Sequence, residues 1–169
     1  MRMTDDDTWR RLSAADHGIL CTSNRQRRVD AVPVCFAVVA RVVATPVDRV
    51  KPKETTELAR LRNLEHDARA TLLCEHWDRE DWSRLWWVRA HLVRRPDDDV
   101  SDRQREECEH ALREKYPQYR RTEFADVVLL DVTTVVGWSA GAIRATGAGS
   151  AADADADAGA GAGAGGDPG

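Results

Sequence analysis

Lysine is nearly absent from this chain of 169 residues: only Lys51, Lys53 and Lys115 occur, against a large number of arginines. The four cysteines, Cys21, Cys35, Cys74 and Cys108, include no CxxC pair. That spacing argues against a zinc ribbon or a disulfide framework and for free thiols in a reducing compartment. No HExxH or other paired histidine spacing occurs among His17, His66, His76, His91 and His110, and no metal site is expected. A GxSxG elbow is missing, and no cysteine sits in a recognisable nucleophile context, so no catalytic side chain is named. No apolar run approaches the roughly 18 residues of a membrane span. The Asp-rich start has no apolar signal-peptide core. A cytoplasmic protein is the expectation.

Charge of one sign is also lacking in most of the chain. The formal net charge is −4, of which −3 falls in residues 141–169, where Arg144 stands against four aspartates. A nearly neutral remainder gives no electrostatic reason to expect nucleic acid or an anionic membrane as partner. Residues 141–169 are almost entirely Gly, Ala and Asp. With so little to bury, they cannot offset a backbone entropy cost of roughly 1–2 kcal/mol per residue, and are read as a disordered tail. Residues 1–140 are read as one domain.

What that domain has is β-branched density in short runs. Residues 18–23, 30–40, 41–47, 68–77, 85–95 and 126–138 have strand composition, the last as one strand or a pair. Residues 8–16, 52–66 and 101–116 have helical spacing, with Pro52 suited to a first helical turn. Strands follow strands through short links, which predicts a six-stranded antiparallel barrel with peripheral helices. Several strands are apolar on both faces. A second buried surface is therefore expected, and a homodimer supplies one.

Two local features stand out. Lys51-Pro52-Lys53 lies where a strand gives way to a helix, with Thr55 and Thr56 following. Converging ammonium, hydroxyl and free amide donors suit a phosphate. Trp77, Trp82, Trp86 and Trp87 place four of the six tryptophans within eleven residues, either as packing at a subunit interface or as a wall against a flat heterocycle. Trp86 and Trp87, adjacent on a strand, should face opposite ways. The Arg25, Arg27, Arg28 tip reads as a solvated hairpin, and Asp97, Asp98 and Asp99 as a solvated connection. With no catalytic side chain in evidence, an enzyme of this kind relies on a bound cofactor.

The series Val32-Pro33-Val34-Cys35-Phe36-Ala37, Val43-Ala44-Thr45-Pro46-Val47-Asp48, Lys51-Pro52-Lys53, Leu61-Arg62-Asn63-Leu64, Trp82 to Arg89, Tyr116-Pro117-Gln118-Tyr119 and Gly137-Trp138-Ser139 resembles the pyridoxamine-5′-phosphate-oxidase-like split barrels. Within them it is most similar to the deazaflavin (coenzyme F420)-dependent oxidoreductases. The resemblance spans nearly all of residues 8–140. It implies a dimeric split β-barrel with the cofactor between subunits, its phosphate on Lys51 and Lys53. The flat ring would lie along the strands of Pro33 and Val34 and of Thr45 and Val47, with Trp87 as a wall or an approach from the partner subunit. Where the family usually carries Gly-Arg/Lys-Pro in its first hairpin, this chain has Arg27, Arg28 and Val29. The implied activity is hydride transfer between coenzyme F420 and a small organic molecule. The alternatives are an FMN-dependent oxidase or reductase and a non-catalytic flavin or haem carrier.

Overall fold

A computed structural model of the protein describes residues 1–48 and 58–141. Lys51, Lys53, Thr55 and Thr56 lie outside the described residues, as does all but the first residue of the expected tail.

The chain opens with α1 (Asp5–Ala14), which begins three residues before the apolar stripe suggested. Thr4 sets the start: its hydroxyl accepts the Asp7 amide at 3.2 Å, and Asp5, Asp6 and Asp7 sit at the positive end of the helix dipole. A first hairpin follows, β1 (Gly18–Asn24) and β2 (Arg28–Val34), in register from Gly18 opposite Val34 to Asn24 opposite Arg28. Arg28 occupies the left-handed region (φ 73°), and it falls in the stretch where a glycine was to be expected from the family pattern.

Among the described residues seven strands form the sheet, one more than the six expected. The apolar run 30–40 is not one strand: it breaks at Cys35 and Phe36 into β2 and the short β3 (Ala37–Val39). β4 (Val42–Asp48), β5 (Arg69–His76), β6 (Trp86–Arg94) and β7 (Phe124–Ser139) complete it, the last as a single strand of 16 residues. The order is β2-β1-β5-β6-β7-β4-β3, antiparallel throughout. Both edge strands thus come from one run, and Pro33 is tolerated because β2 is an edge. Val34 and Ala37 are three Cα steps apart, at most about 11 Å. The two edges of the sheet therefore meet at one corner, yet no ladder joins β2 to β3 among the described residues. The sheet curls without closing.

Alternation divides the sheet into faces. The inner face carries Leu20, Leu72, Val88, Leu92, Val43 and Leu130, packed with Phe36, Leu12 of α1 and Leu64 of α2 (Ala59–His66). Outside β3, β4 and β7, a second cluster of Ala37, Ala44, Val127 and Leu129 is covered by Cys108 and Leu112 of α3 (Asp102–Lys115). That helix starts with a reciprocal capping box, Ser101 with Gln104. The helix expected over 52–66 is described from Ala59, with Leu58 as its cap. No described helix is long and apolar enough to cross a membrane.

One face remains. Outside β2, β1, β5, β6 and the C-terminal half of β7 lie Pro33, Ile19, Leu73, Trp87, Val136 and Trp138, and neither apolar cluster includes them.

Candidate functional site

The corner between β2 and β3 is tied by side chains. Thr45, buried on β4, donates its hydroxyl to the Cys35 carbonyl at 3.1 Å. The Phe36 amide donates to the Tyr116 hydroxyl at 3.0 Å, and that hydroxyl lies 2.8 Å from the Phe36 carbonyl and 2.9 Å from the Asp16 carbonyl. Lys115 caps the same corner, 4.3 Å from the Phe36 ring centroid, and donates to the Ser13 carbonyl at 3.1 Å. Burial lowers the Lys115 pKa and pushes Tyr116 and Cys74 up to about 12 each. All of these shifts disfavour charge: burial moves Tyr116 and Cys74 further from neutral titration and Lys115 towards it.

The residues expected to line a ring cleft divide in three. Val34, Thr45 and Val47 come together at this corner, but their side chains are buried, Val34 and Val47 in the inner core. A ring along these strands would meet backbone. Pro33 is exposed on the uncovered outer face, opposite Ile19, in one row with Leu73, Arg89 and Val136. Trp87 is on that same face, one row over, between Glu75 and Trp138. Three strand spacings, about 14 Å, separate the strands of Pro33 and Trp87. Thr45 faces Val128 on β7, ten residues from Trp138 and about 33 Å along a straight strand. Within one subunit, Trp87 and the Thr45 corner are not brought together.

Trp87 instead walls a cavity of about 560 Å³ at the end of β5 and β6, with Leu73, Trp77, Leu85 and Trp86 as its apolar lining and Glu75, His76 and Arg89 as its polar groups. As alternation requires, Trp86 and Trp87 leave the strand on opposite sides. Trp86 packs on the inner core beneath the Arg11 guanidinium, 4.8 Å above its ring, and stacks at 19° with His76, its cross-strand partner. Burial comes first among the causes that lower the Arg11 pKa. Trp87 has Arg89 at 5.7 Å, while the exposed Trp77 and Trp82 meet at 5.9 Å across the β5–β6 loop. Asp78 and Asp81 fix that loop: Asp78 accepts the amides of Glu80 and Asp81, and Asp81 accepts that of Ser83. Arg11 and His76 are parts of this platform that sequence reasoning missed. The signal was strand register, which places His76 opposite Trp86 and is invisible before the strands are paired.

No family model matches the sequence. No curated protein matches it either. Solved structures do. A conserved hypothetical protein from Mycobacterium tuberculosis superposes with a TM-score of 0.63 at 15% identity, over 89% of this chain and 95% of that one. The FAD-binding protein from Mycobacterium smegmatis gives 0.54 at 14% identity, over 82% and 98%. The haem storage protein HutZ from Vibrio cholerae gives 0.55 at 12% identity, over 80% and 94%. This chain has their split-barrel fold. At such identities the likeness is one of fold, and function must be argued from the site.

The residues present fit a flat conjugated ring. The tryptophan-walled cavity offers stacking surfaces, with Glu75, His76 and Arg89 as polar groups to fix orientation.

Proposed function

We propose that this chain binds a flat, phosphate-bearing redox cofactor between two copies of itself and acts as an oxidoreductase, with coenzyme F420 as cofactor and FMN as the alternative. The observation that carries this reading is the outer sheet face. On it Ile19, Leu73, Trp87, Val136 and Trp138 stand among Glu75, Arg89 and His91, outside both apolar clusters of the described residues, and it presents Pro33 together with Trp87 and its cavity. A two-fold dimer that apposes these faces would bring the partner's copy of the cavity towards the β2 edge, supplying the contact that 14 Å of sheet denies within one subunit.

In such a site each residue has a limited task. Pro33 and Val34, with Thr45 and Val47, would offer a backbone ledge. Thr45 holds that ledge by fixing the Cys35 carbonyl. Trp87 would exclude water from one side of the ring, and Lys51 and Lys53 would hold the phosphate beside the approach to α2. The cofactor itself supplies hydride chemistry when bound. Tyr116 and Cys74 are pushed away from neutral titration, so neither is set up as a proton donor, and the Lys115 ammonium is directed at the Ser13 carbonyl and the Phe36 ring. An acceptor protonated by solvent or by its own groups suits this arrangement.

The test is titration of the purified protein with coenzyme F420 and with FMN. Micromolar binding of coenzyme F420 that weakens at least about tenfold in Lys53→Ala, in line with loss of a charge-assisted bond, supports the reading. Retention of neither cofactor overturns it. Tight binding without oxidation of the reduced cofactor by any acceptor would make the protein a carrier.

A further inference from the structure

The walls of the cavity at the end of β5 and β6 are held in place by their neighbours. Arg11 lies 4.8 Å over the Trp86 ring and His76 stacks on it at 19°. The loop that carries Trp77 and Trp82 is pinned by the amides that Asp78 and Asp81 accept, and by an ion pair of 3.1 Å between Arg84 and Asp78. Both of these indoles are exposed, at 61% and 66%, and still meet at 5.9 Å. Indole walls fixed in this way suit a flat guest. The volume of about 560 Å³ falls inside the span of roughly 300–1,000 Å³ usual for small-molecule sites.

Two charged side chains mark its outer side. Glu75 is the cross-strand partner of Trp87, and Arg89 stands two residues further along β6, opposite Leu73. The Arg89 guanidinium lies 5.7 Å from the centre of the Trp87 ring and, among the described residues, enters no ion pair. A planar guanidinium beside an indole offers a carboxylate two parallel N–H donors next to a stacking surface. Glu75 limits what can sit there. Diagonal neighbours of this kind lie about 7–8 Å apart, near enough for the Glu75 carboxylate to repel an anion seated on Arg89. That repulsion grows with the charge of the guest, so a single carboxylate is admitted and a phosphate dianion is disfavoured.

We propose that this cavity seats the hydride acceptor, a flat conjugated molecule bearing one carboxylate, with its ring against Trp87 and its carboxylate on Arg89. The acceptor role rests on the oxidoreductase reading, whereas the binding preference does not. The acceptor takes hydride from the reduced cofactor and a proton from solvent. Its test is calorimetric titration of the full chain with 2-naphthoate, used as a binding probe, and with 2-naphthamide as the uncharged counterpart. Naphthoate should bind saturably and at least about tenfold tighter than naphthamide. R89Q should remove that advantage by weakening naphthoate and leaving naphthamide unchanged, and E75Q should tighten naphthoate about two- to threefold. Arg89 and Glu75 are both exposed, and damage to the fold would not move two variants in opposite directions. No saturable binding, equal binding of the two probes, or equal loss of both in R89Q overturns the proposal. Naphthoate should still bind once coenzyme F420 or FMN is in place. Displacement by either would give the cavity to the cofactor and overturn the acceptor role. If neither coenzyme binds, the oxidoreductase reading falls and the acceptor role with it, while the preference for naphthoate and its loss in R89Q would still establish a carboxylate site.

Discussion

At the scale of single residues, the clearest consequence of the structure is acid sensitivity at Asp30. Arg27, and next Asn63, hold its carboxyl down to about 2 by hydrogen bonding. An ordinary aspartate titrates near about 3.9. The folded-state pKa is the depressed one, so the stabilisation is complete above about pH 4 and is lost as pH falls towards about 2. Thermal unfolding of the wild type should therefore fall more steeply across that window than unfolding of Asp30→Asn. Equal slopes would mean that the network is no stronger in the folded protein than in the unfolded chain. None of this was legible from Asp30 itself. Its partners come from the turn and from α2, 33 residues away in the case of Asn63, and only the hairpin register brings them together.

Among the elements, composition and turn residues located the strands well, because β-branched runs bounded by Pro, Gly and Asp leave few other choices. The errors have identifiable causes. After Asp30 the run to residue 40 is apolar throughout, yet it feeds two strands at opposite edges of the sheet, and nothing local marks Cys35 as a corner. α1 begins at Thr4 because a cap outweighs the apolar stripe. β7 is one strand because it serves two partners in turn, pairing along its first half with β4 and along its second with β6. Its last residues also accept the N-terminus, where the Met3 amide donates to the Gly137 carbonyl at 3.0 Å. Gly137 has no side chain because α1 leaves no room: a Cβ there would stand 2.9 Å from the Thr8 hydroxyl and 3.0 Å from the Met3 sulfur. Gly137→Val should cost about 1–3 kcal/mol by overpacking, read as a lower urea midpoint with an unchanged slope. A neutral result would show that α1 rides loosely on the sheet.

Among the described residues the sheet has two faces packed into apolar clusters and one that belongs to neither, and that one is where the site argument leads. Apolar strands on both faces were visible in the sequence, and so was the inference that something must cover the outer side. Which residues form that side was not visible, because a one-residue change of register exchanges the faces. Leu73 stands near its middle, in the row that joins Pro33 to Val136. Leu73→Arg should convert a dimer to a monomer in light scattering and abolish cofactor retention, with the far-ultraviolet circular dichroism preserved. A wild-type monomer, or a variant dimer that still binds cofactor, would show that the outer face is not the subunit contact.

The corner at Cys35 and Phe36 sets how the barrel breathes. No rung of main-chain bonds spans the gap between β2 and β3. Two hydroxyls, those of Thr45 and Tyr116, hold the backbone there. Parting the gap would break these side-chain bonds and leave every strand pair intact. Amide hydrogen exchange should record this as early deuterium uptake along β2 and β3, with β6 and the middle of β7 the last to exchange.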